Sequence, residues 1–299
     1  METNEAINKQ DASYYKNLFT VKFLRILISF LYYSRIIHNK AMINLIARLM
    51  FIFGKKDRNK SLRNITIALE VDEDEAKTIY MESLKNAIEN FLIFTYIMTG
   101  LIKNEYFKHN VIINGKETLD NVLKGGNGVI AVSGHIGNFP LMVLALSLSG
   151  YPVAVIFKEF KYFGGNTYAD EMKRYNVEPI AYKNNDIDVT KKIITALKKG
   201  KIVFFIIDQR GNNYIKVKLF DQELPVFPGA AVLAKRKKVD VIPIFTHYTG
   251  GKHYVDILEP LDLKRNASIE ENMQIMISTI EKYVKEHPTN WLWFYYNFS

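Results

Sequence analysis

A chain of 299 residues without a cysteine excludes disulfide staples, a thiol nucleophile and thiolate metal sites, and is long enough to bury a full core; it fits a reducing compartment. Its 40 Lys+Arg against 31 Asp+Glu give a formal charge of +9, which favours an anionic partner, whether nucleic acid, an acidic carrier protein or an anionic lipid surface. The charges form no single basic block and no nucleic-acid module is recognisable, so the reading carries no nucleic acid.

The first thirteen residues are polar and carry Glu2, Glu5 and Asp11, unlike the basic start of a cleaved signal peptide. Leu18 to Ile37 is strongly apolar, but Lys22 and Arg25 interrupt it and its longest charge-free run, Ile26 to Ser34, is nine residues. A clean bilayer span needs about 20. With Lys22, Arg25 and Arg35 snorkelling and Tyr32 and Tyr33 at headgroup depth, the segment reads as an interfacial or tilted anchoring helix, against the alternative of a buried core helix. Residues 1–54 are therefore expected to be a membrane-associated helical segment and 55–299 a separate domain.

Ala41 to Phe53 predicts a second helix, and the basic segment Lys55 to Asn64 follows it, read either as a solvated face or as a contact to an anionic membrane surface. Asp72 to Glu75 places acids at the start of a helix over Ala76 to Thr99. From about Val111 strands alternate with helices. Gly128 to Val132, Pro152 to Phe157, Glu178 to Tyr182 and Ile202 to Ile207 read as strands; Leu141 to Ser149, Tyr168 to Tyr175 and Val189 to Lys199 read as helices. Gly229 to Lys238 predicts another helix, Val241 to Thr246 and Tyr254 to Leu258 a hairpin turned at Gly250-Gly251, and Ile269 to Glu286 a last amphipathic helix before an aromatic tail. The fold class expected is α/β, a mostly parallel mixed sheet covered by helices with a helical N-terminal portion.

Ser133-Gly134-His135-Ile136-Gly137-Asn138-Phe139-Pro140 sits between a strand and a helix. Asn138 is a candidate N-cap and Pro140 falls in the first helical turn, so His135 is aimed beside helix N-terminal amides, a place suited to an oxyanion. The competing reading is a loop histidine satisfied by a nearby carbonyl. Asp208-Gln209 also follows a strand; ligands of open α/β sheets lie beyond strand carboxyl ends, so the two positions are expected to share one site unless Asp208 is a turn or capping carboxylate. Gly125 to Gly128 precedes its strand and reads as a turn, while His247 and His253 lack the helical spacing of a zinc protease. No metal and no cofactor is expected.

Taken in order, several blocks resemble the late acyltransferases of lipid A biosynthesis, the lauroyl and myristoyl transferases within the lysophospholipid acyltransferase superfamily. They are Ser61-Leu62-Arg63-Asn64-Ile65, Gly134-His135-Ile136-Gly137-Asn138-Phe139, Lys158, Asp208-Gln209, Pro228-Gly229-Ala230, Val241-Ile242-Pro243, and His287-Pro288 with Trp291-Leu292-Trp293. The resemblance implies fatty acyl transfer, usually from acyl carrier protein, to a hydroxyl of a membrane lipid acceptor at the cytoplasmic face of the inner membrane. It implies His135 as general base; Asn138, Lys158, Gln209 and Arg210 are expected at the substrate, with Lys216 a further cation for phosphates. Two departures stand out. The family's acidic residue five positions after the histidine is Pro140 here, and its His and Arg residues after the Trp-Leu-Trp block are Tyr295, Tyr296 and Asn297. Asp208 is expected to replace the missing acid. The alternative is a catalytically silent relative that binds lipid or carrier only.

Overall fold

The computed structural model describes residues 39–158, 167–182, 187–264, 266–296 and 298, together with 29, 30 and 33. The anchoring segment expected over Leu18 to Ile37 thus lies almost wholly outside the described residues. The N-terminal part is helical: α1 (Lys40–Phe53), α2 (Lys55–Leu69), α3 (Glu73–Met98) and α4 (Asn104–Asn110). Asp72 caps α3, its carboxylate accepting from the N–H groups of Asp74 and Glu75, and the acids that follow complement the helix dipole. The basic segment is helical throughout α2, whose buried stripe is Ser61, Asn64, Ile65 and Ala68.

Beyond α4 the chain runs β1 (Val111–Asn114), α5 (Lys116–Leu123), β2 (Val129–Ser133), α6 (Phe139–Leu148), β3 (Val153–Lys158), α7 (Thr167–Arg174), β4 (Glu178–Tyr182), α8 (Ile187–Lys198) and β5 (Ile202–Ile206). A hairpin, β6 (Arg210–Leu219) and β7 (Gln222–Val226), leads to α9 (Gly229–Lys237), β8 (Val241–Thr249), β9 (Lys252–Ile257) and α10 (Ile269–Glu286). Two short 3₁₀ turns, Pro288–Asn290 and Trp293–Tyr295, carry the aromatic tail. The main sheet has the order β1-β9-β8-β2-β5-β3-β4 and is parallel except for the β8/β9 hairpin, as the α/β alternation predicts.

β2 is central and buried along its whole length, the pattern of a parallel strand covered on both faces. Its side chains alternate between two cores: Ile130 and Val132 join α8, α9, α10 and the tail, while Val129 and Ala131 join the apolar helix α6. β2 pairs with β5 in a register that sets Ser133 opposite Ile206, so the residues just after each strand emerge side by side at one sheet end.

One buried group near this sheet gives a stability prediction. His253 on β9 is 1% exposed, its Nε2 meets the Tyr106 hydroxyl at 3.4 Å, and its Nδ1 has no partner among the described residues. Burial, reinforced by nearby His247, lowers its pKa to about 4 from an ordinary 6.5. The unfolded chain then binds the extra proton first. The associated stability is complete above pH 6.5 and is lost as pH falls toward 4, a difference of about 3 kcal/mol. Urea unfolding at pH 7.5 and 4.5 is expected to show a smaller acid loss for His253→Phe than for wild type. Depressed His287 contributes in the same window, so equal losses in the two proteins would remove His253 from the account.

Candidate active site

Ser133 ends β2, and the chain turns through His135 into α6. Asn138 is the N-cap: its Oδ1 accepts from the Leu141 N–H at 3.1 Å and its Nδ2 donates to the Asn90 carbonyl on α3 at 3.2 Å. Its side chain is 2% exposed and occupied by these bonds. Pro140, buried in the first turn, has no N–H to leave orphaned, so the amide left at this helix start is that of Phe139.

Asp208 follows β5 and is fully buried. Its Oδ1 lies 2.8 Å from His135 Nδ1, and its Oδ2 accepts the backbone N–H of His135 at 2.8 Å. A carboxylate only accepts, so Nδ1 carries the proton and Nε2 bears the lone pair. Oδ2 also accepts from the Tyr296 hydroxyl at 2.5 Å and, at 3.4 Å, from Trp291 Nε1. Burial pushes the Asp208 carboxyl up, but the His135 charge, the two His135 hydrogen bonds and the Tyr296 hydroxyl together hold it below the ordinary carboxylate range. Burial pulls His135 down, but the Asp208 charge and hydrogen bond outweigh it and raise its proton affinity.

Two glycines make this approach possible. A Cβ on Gly134 would stand 2.8 Å from Asp208 Oδ2, and one on Gly137, at φ +56°, would stand 2.4 Å from the Thr246 carbonyl. The tail closes the loop from the other side: Ile136 bridges to Trp291, and the Gly137 N–H donates to the Asn290 carbonyl. Tyr295 stacks on the His135 imidazole at 5.0 Å between centroids, and its hydroxyl accepts from Gln209 Nε2 at 3.0 Å.

His135, Asp208 and Gln209 therefore come together as expected from their strand ends. Lys158 is exposed at the end of β3, at the same end of the sheet. The side chain of Arg210 lies outside what the structure describes. Lys216 is exposed on β6 and pairs with Glu223 on β7 at 2.9 Å. Tyr295, Tyr296, Trp291 and Asn64 received no site role from the sequence; the signal was the tail's departure from the family pattern and the demand of a buried carboxylate for donors.

The metal-ligating residue types gather elsewhere. His247, Asp256 and His287 each bring one atom within 4.8 Å of the others. The two imidazoles are stacked at 3.8 Å and 11°, so their in-plane lone pairs run parallel instead of converging. The Tyr283 hydroxyl meets His247 Nδ1 at 2.7 Å and Asp256 Oδ2 at 2.6 Å. As it stands the cluster is a satisfied hydrogen-bond network. Its Asp256 carboxyl is held at about 2, against the pull of burial, by His247, Tyr283 and Asn114.

Among family models, the one described as bacterial lipid A biosynthesis acyltransferase matches residues 10–299, nearly the whole chain. The chain belongs to that family. No curated protein matches it. Membership makes this a member of an acyltransferase family acting in lipid A biosynthesis, and it fits the α/β fold described above. In this family member, Pro140 offers no carboxylate to His135, and Asp208 from the neighbouring strand stands in hydrogen-bond contact with the ring. No helix among the described residues of this family member is long and apolar enough to cross a membrane.

Proposed function

We propose that the chain transfers a fatty acyl group from an acyl thioester, that of acyl carrier protein, to a hydroxyl of a lipid A-type or other membrane glycolipid acceptor, with His135 as general base. The observation that carries the reading is the 2.8 Å contact between Asp208 and His135 Nδ1, which leaves Nε2 as the basic atom. Nε2 takes the acceptor's hydroxyl proton as the oxygen attacks the thioester carbonyl. The Phe139 N–H at the α6 start stabilises the resulting oxyanion. Collapse breaks the carbon–sulfur bond, and the departing thiolate recovers the proton from the imidazolium as the carrier's free thiol. Asp208 fixes the tautomer and stabilises the imidazolium. Lys158, Gln209 and Arg210 are assigned to substrate groups at the same sheet end, the cations to phosphates. Asn138 acts on the substrate only indirectly, by setting the helix start.

The reaction is assigned to the cytoplasmic face of the inner membrane, with an anionic lipid surface as the docking partner. Support comes from α1 and the start of α2, where Leu45, Leu49, Ile52 and Phe53 are exposed beside exposed Arg48, Lys55 and Lys56. Apolar side chains enter the headgroup boundary while the cations meet anionic lipid.

The test is acyl transfer from acyl carrier protein to a panel of lipid acceptors in detergent, comparing wild type with His135→Ala. Wild-type turnover that is abolished in the variant is the expected result. A wild type that binds lipid but turns over with no acceptor would move the chain to the binding-only reading that Pro140 raises.

A further inference from the structure

We infer that Tyr296 is a positioning residue for acyl transfer: its hydroxyl on Asp208 sets the proton affinity of the His135–Asp208 pair, and Asn64 keeps it in place. The inference rests on the function proposed above. Asp208 is fully buried, so its donors decide how strongly it pulls on the imidazole. Oδ1 has one donor, His135 Nδ1; Oδ2 shares the His135 amide, the Tyr296 hydroxyl and, at longer range, Trp291. A phenol at this point donates a hydrogen bond while carrying no charge of its own. It stabilises the carboxylate without cancelling its charge, so the attraction for the imidazolium survives while the basicity of the pair is trimmed.

Tyr296 is fixed at both ends. Its ring stacks on Trp291 at 4.1 Å and 23°, and its carbonyl accepts from Asn64 Nδ2 at 3.0 Å. Asn64 also donates to the Trp293 carbonyl at 2.9 Å and accepts the Phe298 N–H at 3.1 Å. Trp293, Tyr296 and Phe298 are thus strapped to α2 by one buried amide side chain. Burial and the Asp208 charge push the Tyr296 phenol well above its ordinary range, so it remains a neutral donor throughout the working pH range. The titratable side chains meeting the pair among the described residues are Tyr296, on the carboxylate, and Tyr295, on the imidazole face.

The experiment is the pH dependence of kcat/KM for transfer from acyl carrier protein. In Tyr296→Phe the pair holds its proton more tightly. The acid limb is expected to move up by about one pH unit, with kcat/KM about tenfold lower below the limb. Should that variant fold poorly, 3-fluorotyrosine at position 296 keeps the ring and strengthens the donor, and the limb then moves down. A loss in Tyr296→Phe that is equal at every pH, with the limb unmoved, would overturn the inference and leave only a packing role. Asp208→Asn run alongside separates the two readings: an inactive Asp208→Asn with an unmoved limb in Tyr296→Phe overturns the inference alone. Wild-type turnover in Asp208→Asn overturns the proposed mechanism and the inference with it.

Discussion

Asp208→Asn is expected to lower turnover by about 10⁴ while leaving the fold intact, the scale of loss seen when the carboxylate of a serine-protease triad is neutralised. The reason is visible in the donor count. The Asp208 carboxylate faces the Nδ1–H and backbone N–H of His135, the Tyr296 hydroxyl and the Trp291 indole N–H. An amide in its place brings N–H groups of its own into a pocket that offers donors, and His135 is driven to carry its proton on Nε2. The base is then blocked at the atom that must receive the acceptor's proton. Single-turnover kinetics with acyl carrier protein thioester, alongside circular dichroism, checks this. Turnover within tenfold of wild type would remove Asp208 from the mechanism and return the missing acid at Pro140 to the centre of the problem.

The second large effect falls far from the chemistry. Asn64→Ala strips two donors from the Trp293 and Tyr296 carbonyls and one acceptor from the Phe298 N–H, all three buried. Leaving several buried polar groups unpaired is expected to cost about 3 kcal/mol or more in stability. Because the same bonds hold Tyr296, kcat should fall as well, and by more than a stability loss accounts for under conditions where the variant is fully folded. Urea unfolding gives the first quantity and turnover well below the unfolding midpoint gives the second. A variant with wild-type turnover would show that the tail seats itself without this latch.

The α/β pattern was legible because its helices and strands carry their period locally. Glu178 to Tyr182 and Ile269 to Glu286 match the observed bounds, and the Gly250-Gly251 hairpin forms as its turn residues predict. α2 falls in the N-terminal portion expected to be helical, but its bounds were not legible, since half of its buried stripe is polar: Ser61 and Asn64. The β6/β7 hairpin was missed for a different reason. It turns at Phe220 and Asp221, both with positive φ of 51° and 58°, without the Asn or Gly that marks such a turn. In the site, His135 and Asp208 could be paired because each follows a strand. The donors behind Asp208 could not. Tyr296 and Trp291 reach it from 88 and 83 residues away, and no local period announces such a contact.

The strap between Asn64 and the tail also orders events in time. His135 and Asp208 are 73 residues apart, but Tyr296 follows Asp208 by 88 more, and Asn64 precedes Tyr296 by 232. At a synthesis rate of 5–20 residues per second, roughly 4–18 s separate the appearance of Asp208 from that of Tyr296. During that interval the polypeptide already holds α1, α2 and both His135 donors of Asp208, while the Tyr296 hydroxyl and the Trp291 indole N–H are still to come. The hydrogen-bond set around Asp208 is therefore completed only by the last stretch of the chain, when Trp291 and Tyr296 reach it.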